Sequence, residues 1–274
     1  VLMKLLVTRR MTQAAEHALT ARFETTILDR TDGLTEDEAA AAMAEYDAVM
    51  PTLGDRFGAG AFRGGLRCKL LANFGAGFNH IDVNAAAAAG IAVTNTPDAV
   101  TEATADIALT LILMTARRAG EGERLLRRGE WIGWQPTQLL GRHVSGCTVG
   151  IIGMGRIGKA IARRCHFGFG MQVLFHNRSV VSSLDFPARQ VAELDELLTQ
   201  SDFAVVAVPG GSGTRHMIGA HELDRLGPRS FIINIARGDV IEEAALIDAL
   251  QRDRIAGAGL DVYEFEPKVA PALS

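Results

Sequence analysis

Three closely spaced glycines, Gly153, Gly155 and Gly158, lie between an apolar segment and a segment that alternates apolar and basic residues. A strand followed by G-x-G-x-x-G and a helix is the arrangement that binds a dinucleotide. The first glycine permits a tight turn, the second lets the backbone approach a pyrophosphate, and the third lets the helix pack on the strand. The helix N-terminus then presents unpaired N–H groups to the phosphates. The alternative is an ordinary glycine-rich turn between a strand and a helix.

The next apolar segment, Gln172–His176, is followed by Asn177, Arg178 and Ser179 and carries no carboxylate at its tip. In NAD-binding versions of this arrangement an acid at this position binds the ribose hydroxyls. A guanidinium instead offers the 2′-phosphate of NADP(H) a charge-assisted contact, and Asn and Ser add neutral hydrogen bonds. The sequence therefore favours NADP(H), with NAD(H) as the second option. The alternative for Arg178 is a solvated surface residue.

Two charged residues follow apolar segments near the end of the chain. Arg237 directly follows the segment Ser230–Ile235 and precedes a glycine, and Glu266 follows the segment Ala258–Tyr263. Ligands of parallel α/β sheets bind outside the carboxyl ends of the strands. We therefore expect both side chains in one cleft, the alternative being a surface ion pair that contributes little.

The elements that must position these residues alternate between strands and helices along most of the chain. This alternation is typical of parallel sheets covered by helices. It restarts after one long helical segment, Thr101–Trp131, which is apolar first and charged later. We therefore predict an α/β fold of two doubly wound parallel-sheet lobes that join near residue 97. The predicted strands include Met3–Thr8, Asp47–Met50, Ile91–Thr94, Thr148–Ile152, Gln172–His176, Phe203–Val208, Ser230–Ile235 and Ala258–Tyr263, and the predicted helices include Thr35–Ala44, Ile157–Cys165, Val191–Thr199, His221–Leu226 and Ile241–Leu250. Between residues 66 and 90 we predict a further strand, a glycine loop and a short helix.

Composition excludes several classes of function. The net charge is −4 and no stretch is densely basic, which argues against a nucleic-acid partner. The longest apolar run, Ile107–Met114, is too short for a membrane span. Cys68, Cys147 and Cys165 form no paired motif, so we expect three buried thiols in a reducing, cytoplasmic protein.

The sequence resembles the D-isomer-specific 2-hydroxyacid dehydrogenases, and within them the glyoxylate/hydroxypyruvate reductases. The resemblance covers the chain from about residue 70 to its end. It rests on the segments "NFGAGFNHIDV", "GIAVTNTPDAVTEATADIALTLIL", "GEW", "TVGIIGMGRIGKAIARR", "HNRS", "INIARGDVIEEAALIDAL" and "AGAGLDVYEFEP".

This resemblance implies a flavodoxin-like substrate lobe at residues 1–97 and a Rossmann dinucleotide-binding lobe at 98–267. Residues 268–274 would begin a C-terminal return to the substrate lobe. The implied reaction is the NAD(P)H-dependent reduction of a small 2-keto acid, glyoxylate or hydroxypyruvate, to the D-2-hydroxy acid. A homodimer is also implied, with the region of Trp131 and Trp134 at the subunit interface.

Carried onto this chain, the resemblance assigns Arg237 to hold the substrate carboxylate and polarise the ketone. The backbone amides of Ala76 and Gly77 would also bind the carboxylate, since a glycine-rich loop can expose several N–H groups to one anion. Glu266 would raise the pKa of a proton-donating histidine. No metal is implied. The implied cofactor-binding residues are Thr101, Gly153, Gly155, Arg156, Ile157, Gly158, Asn177, Arg178, Ser179, Val208, Pro209, Ile235, Ala236 and Asp261, the last near the nicotinamide carboxamide.

The chain departs from the family pattern in one respect. The family places its proton-donating histidine some twenty residues after the glutamate, and none of the seven histidines lies there. We therefore expect that histidine beyond Ser274, in a longer protein.

Two other functions fit the same residues. A dinucleotide-sensing scaffold, like the corepressors that share this fold, would bind the cofactor with little turnover and could retain both Arg237 and Glu266. A dehydrogenase for a bulkier or phosphorylated hydroxy acid is the third, with Arg63, Arg67 and Lys69 as available cations.

Overall fold

The computed structural model describes residues 2–273 and divides into two compact units, the first ending at Val100 and the second beginning at Thr101. The sequence prediction placed the join near residue 97. A helix that begins at Thr101 opens the second unit.

The first unit contains a parallel five-stranded sheet, and its α-helices lie in the connections between strands that follow one another in the chain. Its strand order is β2-β1-β3-β4-β5, so the chain starts near one edge and ends at the other. Its core lies around Met43, Phe57 and Leu71, all fully buried. Its elements are β1 (Lys4–Val7), α1 (Gln13–Thr20), β2 (Glu24–Ile27), α2 (Glu36–Glu45), β3 (Ala48–Met50), β4 (Leu70–Ala72), α3 (Val83–Ala88) and β5 (Ala92–Thr94).

The second unit is a parallel six-stranded sheet in the order β11-β10-β9-β6-β7-β8. Its elements are α4 (Thr101–Ala116), α5 (Ala119–Arg127), β6 (Thr148–Ile152), α6 (Arg156–Phe169), β7 (Gln172–His176), β8 (Arg189–Val191), α7 (Leu194–Thr199), β9 (Phe203–Val206), α8 (Ala220–Leu226), β10 (Phe231–Asn234), α9 (Glu243–Gln251) and β11 (Gly257–Leu260). Helices α4 and α6 pack on one face of the sheet, and α7, α8 and α9 pack on the other. The predicted fold class, two doubly wound parallel α/β lobes, is confirmed.

Several predicted elements need correction. The predicted long helix is two helices, because the chain breaks at Arg118, whose φ of 54° is left-handed. The apolar half, α4, is buried in the second unit's own core, whereas α5 has no buried residue. The sequence prediction missed α1, β2 and β8, and it took Val191 for helix where Val191 pairs with His176 as the end of β8. Asp261 follows the last strand rather than lying on it.

The three cysteines differ in burial. Cys68 and Cys165 are buried, but Cys147 is half-buried, so the expectation of three buried thiols was wrong. Burial raises the pKa of the Cys165 thiol to about 12.

Among residues 2–273, no helix combines the length and the apolar character needed to cross a bilayer.

A buried carboxylate ties together the loops at the carboxyl end of β1 and β3. The Asp55 side chain is fully buried, and it accepts hydrogen bonds from the Thr8 hydroxyl at 2.6 Å and from the backbone N–H groups of Leu34 and Thr52 at 2.8 Å each. The Arg9 guanidinium lies 3.3 Å away. This one side chain therefore fixes three separate chain segments.

Replacing this carboxylate should destabilise the first unit strongly. In Asp55→Ala the donors from Thr8, Leu34 and Thr52 lose their acceptor in the interior, so we expect a loss of about 3 kcal/mol of unfolding free energy. Urea unfolding followed by circular dichroism measures it. The matched variant Asp37→Ala, on the exposed surface of α2, should cost at most about 0.5 kcal/mol. Equal losses in the two variants would contradict the role given to Asp55.

Candidate active site

Most of the predicted site residues of the second unit directly follow five neighbouring strands, at the carboxyl edge of the six-stranded sheet. Parallel strands place all their carboxyl ends at the same edge, so the segments after β11, β10, β9, β6 and β7 lie side by side in that order. In the same order these segments contain Asp261, Ile235–Arg237, Val208–Gly210, Gly153–Gly158 and Asn177–Ser179.

The glycine turn after β6 is shaped by close backbone packing. Gly153 has a left-handed φ of 100°, and a Cβ there would stand 2.8 Å from the Ala207 carbonyl oxygen. A Cβ on Gly158 would overlap the Gly153 carbonyl oxygen, so the helix could not approach the strand. At Gly155 nothing lies within 4 Å of the added Cβ, so the turn leaves open space at that glycine.

The features around the turn fit a dinucleotide. Gly155 is the N-cap of the fourteen-residue helix α6 and provides no side-chain cap, and the N-terminus of a helix favours anions. The Thr101 hydroxyl is buried and has no hydrogen-bond partner within the described residues. A bound polar ligand would supply that partner. Main-chain donors next to a helix N-terminus suit a pyrophosphate.

The segment after β7 uses its asparagine to hold the glycine turn. Asn177 Oδ1 accepts the Met154 N–H at 3.2 Å, and its Nδ2 donates to the Ser179 carbonyl at 2.9 Å and hydroxyl at 3.2 Å. The Asn177 amide is therefore engaged within the protein. Arg178 is exposed, and in the described part of the chain nothing forms a hydrogen bond or ion pair with it.

Arg237 is held by an asparagine that the sequence analysis did not single out. Asn234, the last residue of β10, is buried; its Nδ2 donates to the Arg237 carbonyl at 2.9 Å and its Oδ1 accepts the Ala236 N–H at 3.0 Å. The side chain of Arg237 then runs along Gly210, where a Cβ would stand 2.6 Å from Arg237 Cγ. The half-buried guanidinium donates to the Ala236 carbonyl at 2.7 Å. The turn after β10 therefore has little freedom to move Arg237.

The loop after β11 carries Glu266, whose carboxylate is exposed and accepts the Tyr263 N–H at 2.8 Å. Two residues earlier, the Glu264 carboxylate lies 2.6 Å from His216 Nε2 and accepts the Glu243 N–H at 3.1 Å. Burial alone would raise the pKa of Glu264, but these hydrogen bonds and the nearby cations lower it overall. Glu264 therefore anchors the loop to α9 and to the segment before α8.

In the first unit, the loop after β4 contains Ala76 and Gly77. Asn73 is buried and donates from Nδ2 to the carbonyls of Gly75 at 3.1 Å and Gly77 at 3.0 Å. Asn95 donates to the Ala76 carbonyl at 2.8 Å. The backbone N–H groups of Ala76 and Gly77 have no acceptor among the residues that the structure describes.

The sequence analysis did not single out Asn73, Asn95 or Asn234, and it assigned Asn177 to the cofactor rather than to the support of the glycine turn, although a signal was present. Asn73, Asn95, Asn177 and Asn234 each end or directly follow a strand, and Asn is disfavoured within strands. Its amide can instead bond to nearby backbone groups. An asparagine at the carboxyl end of a parallel strand is therefore a candidate support for the loop that follows.

One group of possible metal ligands lies elsewhere in the second unit. Single ligand atoms of Asp195, His221 and Glu222 lie within 4.8 Å of one another. Their side chains already have partners, because Arg225 Nε lies 3.4 Å from Asp195 and Glu222 accepts the Gly219 N–H at 2.9 Å. This cluster is explained as a surface polar network.

Comparison with known proteins gives consistent matches. The family model of the D-isomer specific 2-hydroxyacid dehydrogenase, NAD binding domain, matches residues 109–273. The glyoxylate reductase of Thermococcus onnurineus is 40% identical over 96% of this chain and 80% of its own length. That of Thermococcus gammatolerans is 41% identical with the same coverage.

A solved structure agrees with both. The NADPH-dependent glyoxylate/hydroxypyruvate reductase of Sinorhizobium meliloti, in complex with NADP and malonate, is 37% identical and superposes with a TM-score of 0.86. The alignment covers 100% of this chain and 83% of that one. Matches of this extent, together with the glycine turn and the braced Arg237, establish that the chain belongs to the D-isomer specific 2-hydroxyacid dehydrogenase family.

Proposed function

We propose that this chain reduces a small 2-keto acid, glyoxylate or hydroxypyruvate, to the D-2-hydroxy acid with NAD(P)H, and that it prefers NADPH. The observation that carries the proposal is Arg237, whose backbone carbonyl accepts a hydrogen bond from Asn234 and whose guanidinium donates to the Ala236 carbonyl, at the sheet edge that also carries the glycine turn. The relatives named above are glyoxylate reductases, which supports the proposal.

Arg237 binds the substrate carboxylate in this proposal. A guanidinium matches a carboxylate with two parallel N–H donors. Its charge also stabilises the negative charge that develops on the ketone oxygen while C2 is reduced. In the first unit, the N–H groups of Ala76 and Gly77 are neutral donors that also suit a substrate carboxylate.

The glycine turn and its neighbours hold the cofactor. The α6 N-terminus, with Gly153, Gly155, Arg156, Ile157 and Gly158, binds the pyrophosphate, and NAD(P)H supplies a hydride when it is bound. The ribose and its phosphate contact the segment after β7, with Arg178 as the cation. In this proposal the nicotinamide end of the cofactor contacts Thr101, Val208, Pro209, Ile235, Ala236 and Asp261.

Glu266 serves the proton transfer. Its exposed carboxylate would accept a ring N–H of the family's histidine and stabilise the imidazolium, which raises the pKa of that histidine. The histidine then protonates the ketone oxygen.

The comparisons do not favour the scaffold alternative. The relatives named above are reductases.

All three cysteines are free, and we propose a reducing, cytoplasmic location for the protein.

Removing the guanidinium of Arg237 should abolish most of the turnover. In Arg237→Ala we expect kcat/KM for glyoxylate to fall about 1,000-fold, because both carboxylate binding and oxyanion stabilisation are lost. NADPH oxidation at 340 nm in the full chain measures it. NADPH binding, followed by its fluorescence, should stay within about threefold, since the cofactor phosphates bind elsewhere. Arg252→Ala, an exposed arginine on the surface, is the control, and undiminished turnover in Arg237→Ala would refute the role.

The cofactor preference should depend on Arg178. In Arg178→Ala we expect kcat/KM for NADPH to fall roughly 30-fold while that for NADH changes less than about threefold, because only NADPH carries the 2′-phosphate. Kinetics with both cofactors at a fixed glyoxylate concentration test this. Arg127→Ala removes another exposed guanidinium and should change neither value. Equal losses for NADH and NADPH would rule out recognition of the phosphate.

We also propose that the chain forms a homodimer through the segment after α5. Trp131, Ile132 and Trp134 are 53%, 85% and 79% exposed, and contiguous apolar surface of this kind marks interaction sites. The double variant Ile132→Asp/Trp134→Asp should therefore sediment as a monomer in analytical ultracentrifugation. Val180→Asp replaces an equally exposed apolar residue elsewhere and should sediment like the parent. A dimer that survives the double variant would place the interface elsewhere.

A further inference from the structure

Every carbonyl of the loop Gly75–Gly77 accepts a hydrogen bond from an asparagine side chain. Asn73 Nδ2 lies 3.1 Å from the Gly75 oxygen and 3.0 Å from the Gly77 oxygen. Asn95 Nδ2 lies 2.8 Å from the Ala76 oxygen. Three successive peptide groups are thus held by two side chains.

Holding a carbonyl also fixes the direction of the next N–H. The trans peptide group is planar, and its C=O and N–H point in opposite directions. The Gly75 carbonyl therefore sets the direction of the Ala76 N–H, and the Ala76 carbonyl sets that of the Gly77 N–H. These are the two donors without an acceptor among residues 2–273.

We propose that Asn73 and Asn95 are positioning residues that aim the Ala76 and Gly77 N–H groups at the substrate carboxylate. This inference rests on the proposed function, because that function makes the loop a carboxylate site. The asparagines act through the loop backbone and make no contact with the substrate themselves.

The chemistry of Asn73 shows why this residue type is needed. Its two carbonyl partners can only accept, so Nδ2 must face them and Oδ1 must face away. Oδ1 is buried and lacks a hydrogen-bond partner within the described chain. An unpaired buried oxygen destabilises the fold. An apolar residue would avoid that cost, so the two donors of the amide account for the asparagine.

The neighbouring strands align the two asparagines on the loop. Asn73 follows β4 and Asn95 follows β5, and these strands pair in parallel. The Asn73 N–H donates to the Thr94 carbonyl at 3.0 Å, and the Thr96 N–H returns a bond to the Gly75 carbonyl at 3.0 Å. The register of the sheet therefore places Asn95 next to Ala76, nineteen positions earlier in the chain.

Steady-state kinetics on the full chain separate positioning from general stability. In Asn95→Ala and Asn73→Ala we expect KM for glyoxylate to rise about tenfold with kcat within about threefold, because carboxylate binding loses well-aimed donors. A purely structural role would lower the active fraction, and with it kcat, while KM stayed unchanged. Asn95→Gln keeps the amide donor and should recover part of the loss. Asn84→Ala, on the exposed face of α3, is the matched control.

NMR signals of the backbone amides test the orientation of the Ala76 and Gly77 N–H donors in a binding experiment that does not require turnover. With ¹⁵N-labelled alanine and glycine, titration with oxalate should shift the Ala76 and Gly77 signals of the parent protein. Asn95→Ala should weaken that response at least about fivefold. Asn84→Ala should respond like the parent. Should Asn73→Ala fail to fold, Asn95→Ala still decides the question.

The outcomes distinguish this proposal from the proposed function. A parent protein that binds oxalate at Ala76 and Gly77 but does not reduce glyoxylate would overturn the function and leave the positioning role supported, provided Asn95→Ala weakens the response. Unchanged KM and an unchanged oxalate response in Asn95→Ala would overturn the positioning role, whatever the activity. An oxalate titration that leaves the Ala76 and Gly77 signals of the parent in place would overturn it as well.

Discussion

Asparagine amides complete the backbone hydrogen bonding where parallel strands end, and the Arg237 turn, the glycine turn and the loop after β4 depend on them. A strand that ends leaves N–H and C=O groups without ladder partners. Asn234 satisfies such groups after β10 and thereby holds Arg237, while Asn177 does so for the glycine turn after β6. Asn73 and Asn95 hold the carbonyls of the loop after β4. Loops at the end of a sheet are usually the mobile part of an α/β fold. Here hydrogen bonds from short amide side chains restrict them.

The sequence alone predicts those features that depend on local chemistry. The glycine turn, its strand and its helix are confirmed, and part of their signal is local, because Gly158 must lack a Cβ to pack against the Gly153 carbonyl. The parallel α/β class also follows from the alternation of elements. The strands β2 and β8 escape prediction because both lie at sheet edges and carry polar residues. The break at Arg118 escapes because a left-handed arginine has no sequence signature comparable to glycine.

The asparagine contacts mark a different limit of sequence reasoning. Asn73 bonds to residues two and four positions ahead, which is within reach of local turn chemistry. Asn95 bonds across nineteen positions, and Glu264 reaches His216 across forty-eight. Such pairs are set by strand register, so only the folded sheet reveals them. The sequence therefore identifies candidate site residues by their type, whereas the side chains that hold them are found only in the structure.

Some unpaired polar groups lie where the proposal places ligands. The Ala76 and Gly77 amides lack acceptors, and the buried Thr101 hydroxyl lacks a partner, in the part of the chain that is described. Groups left in this state destabilise the free protein, and a ligand that supplies their partners recovers that free energy on binding. Donors that are already oriented need no reorganisation when charge develops on the substrate, which is the basis of electrostatic catalysis. The fold must then gain stability elsewhere, and the fully satisfied Asp55 carboxylate under the first unit's loops is one place where it does.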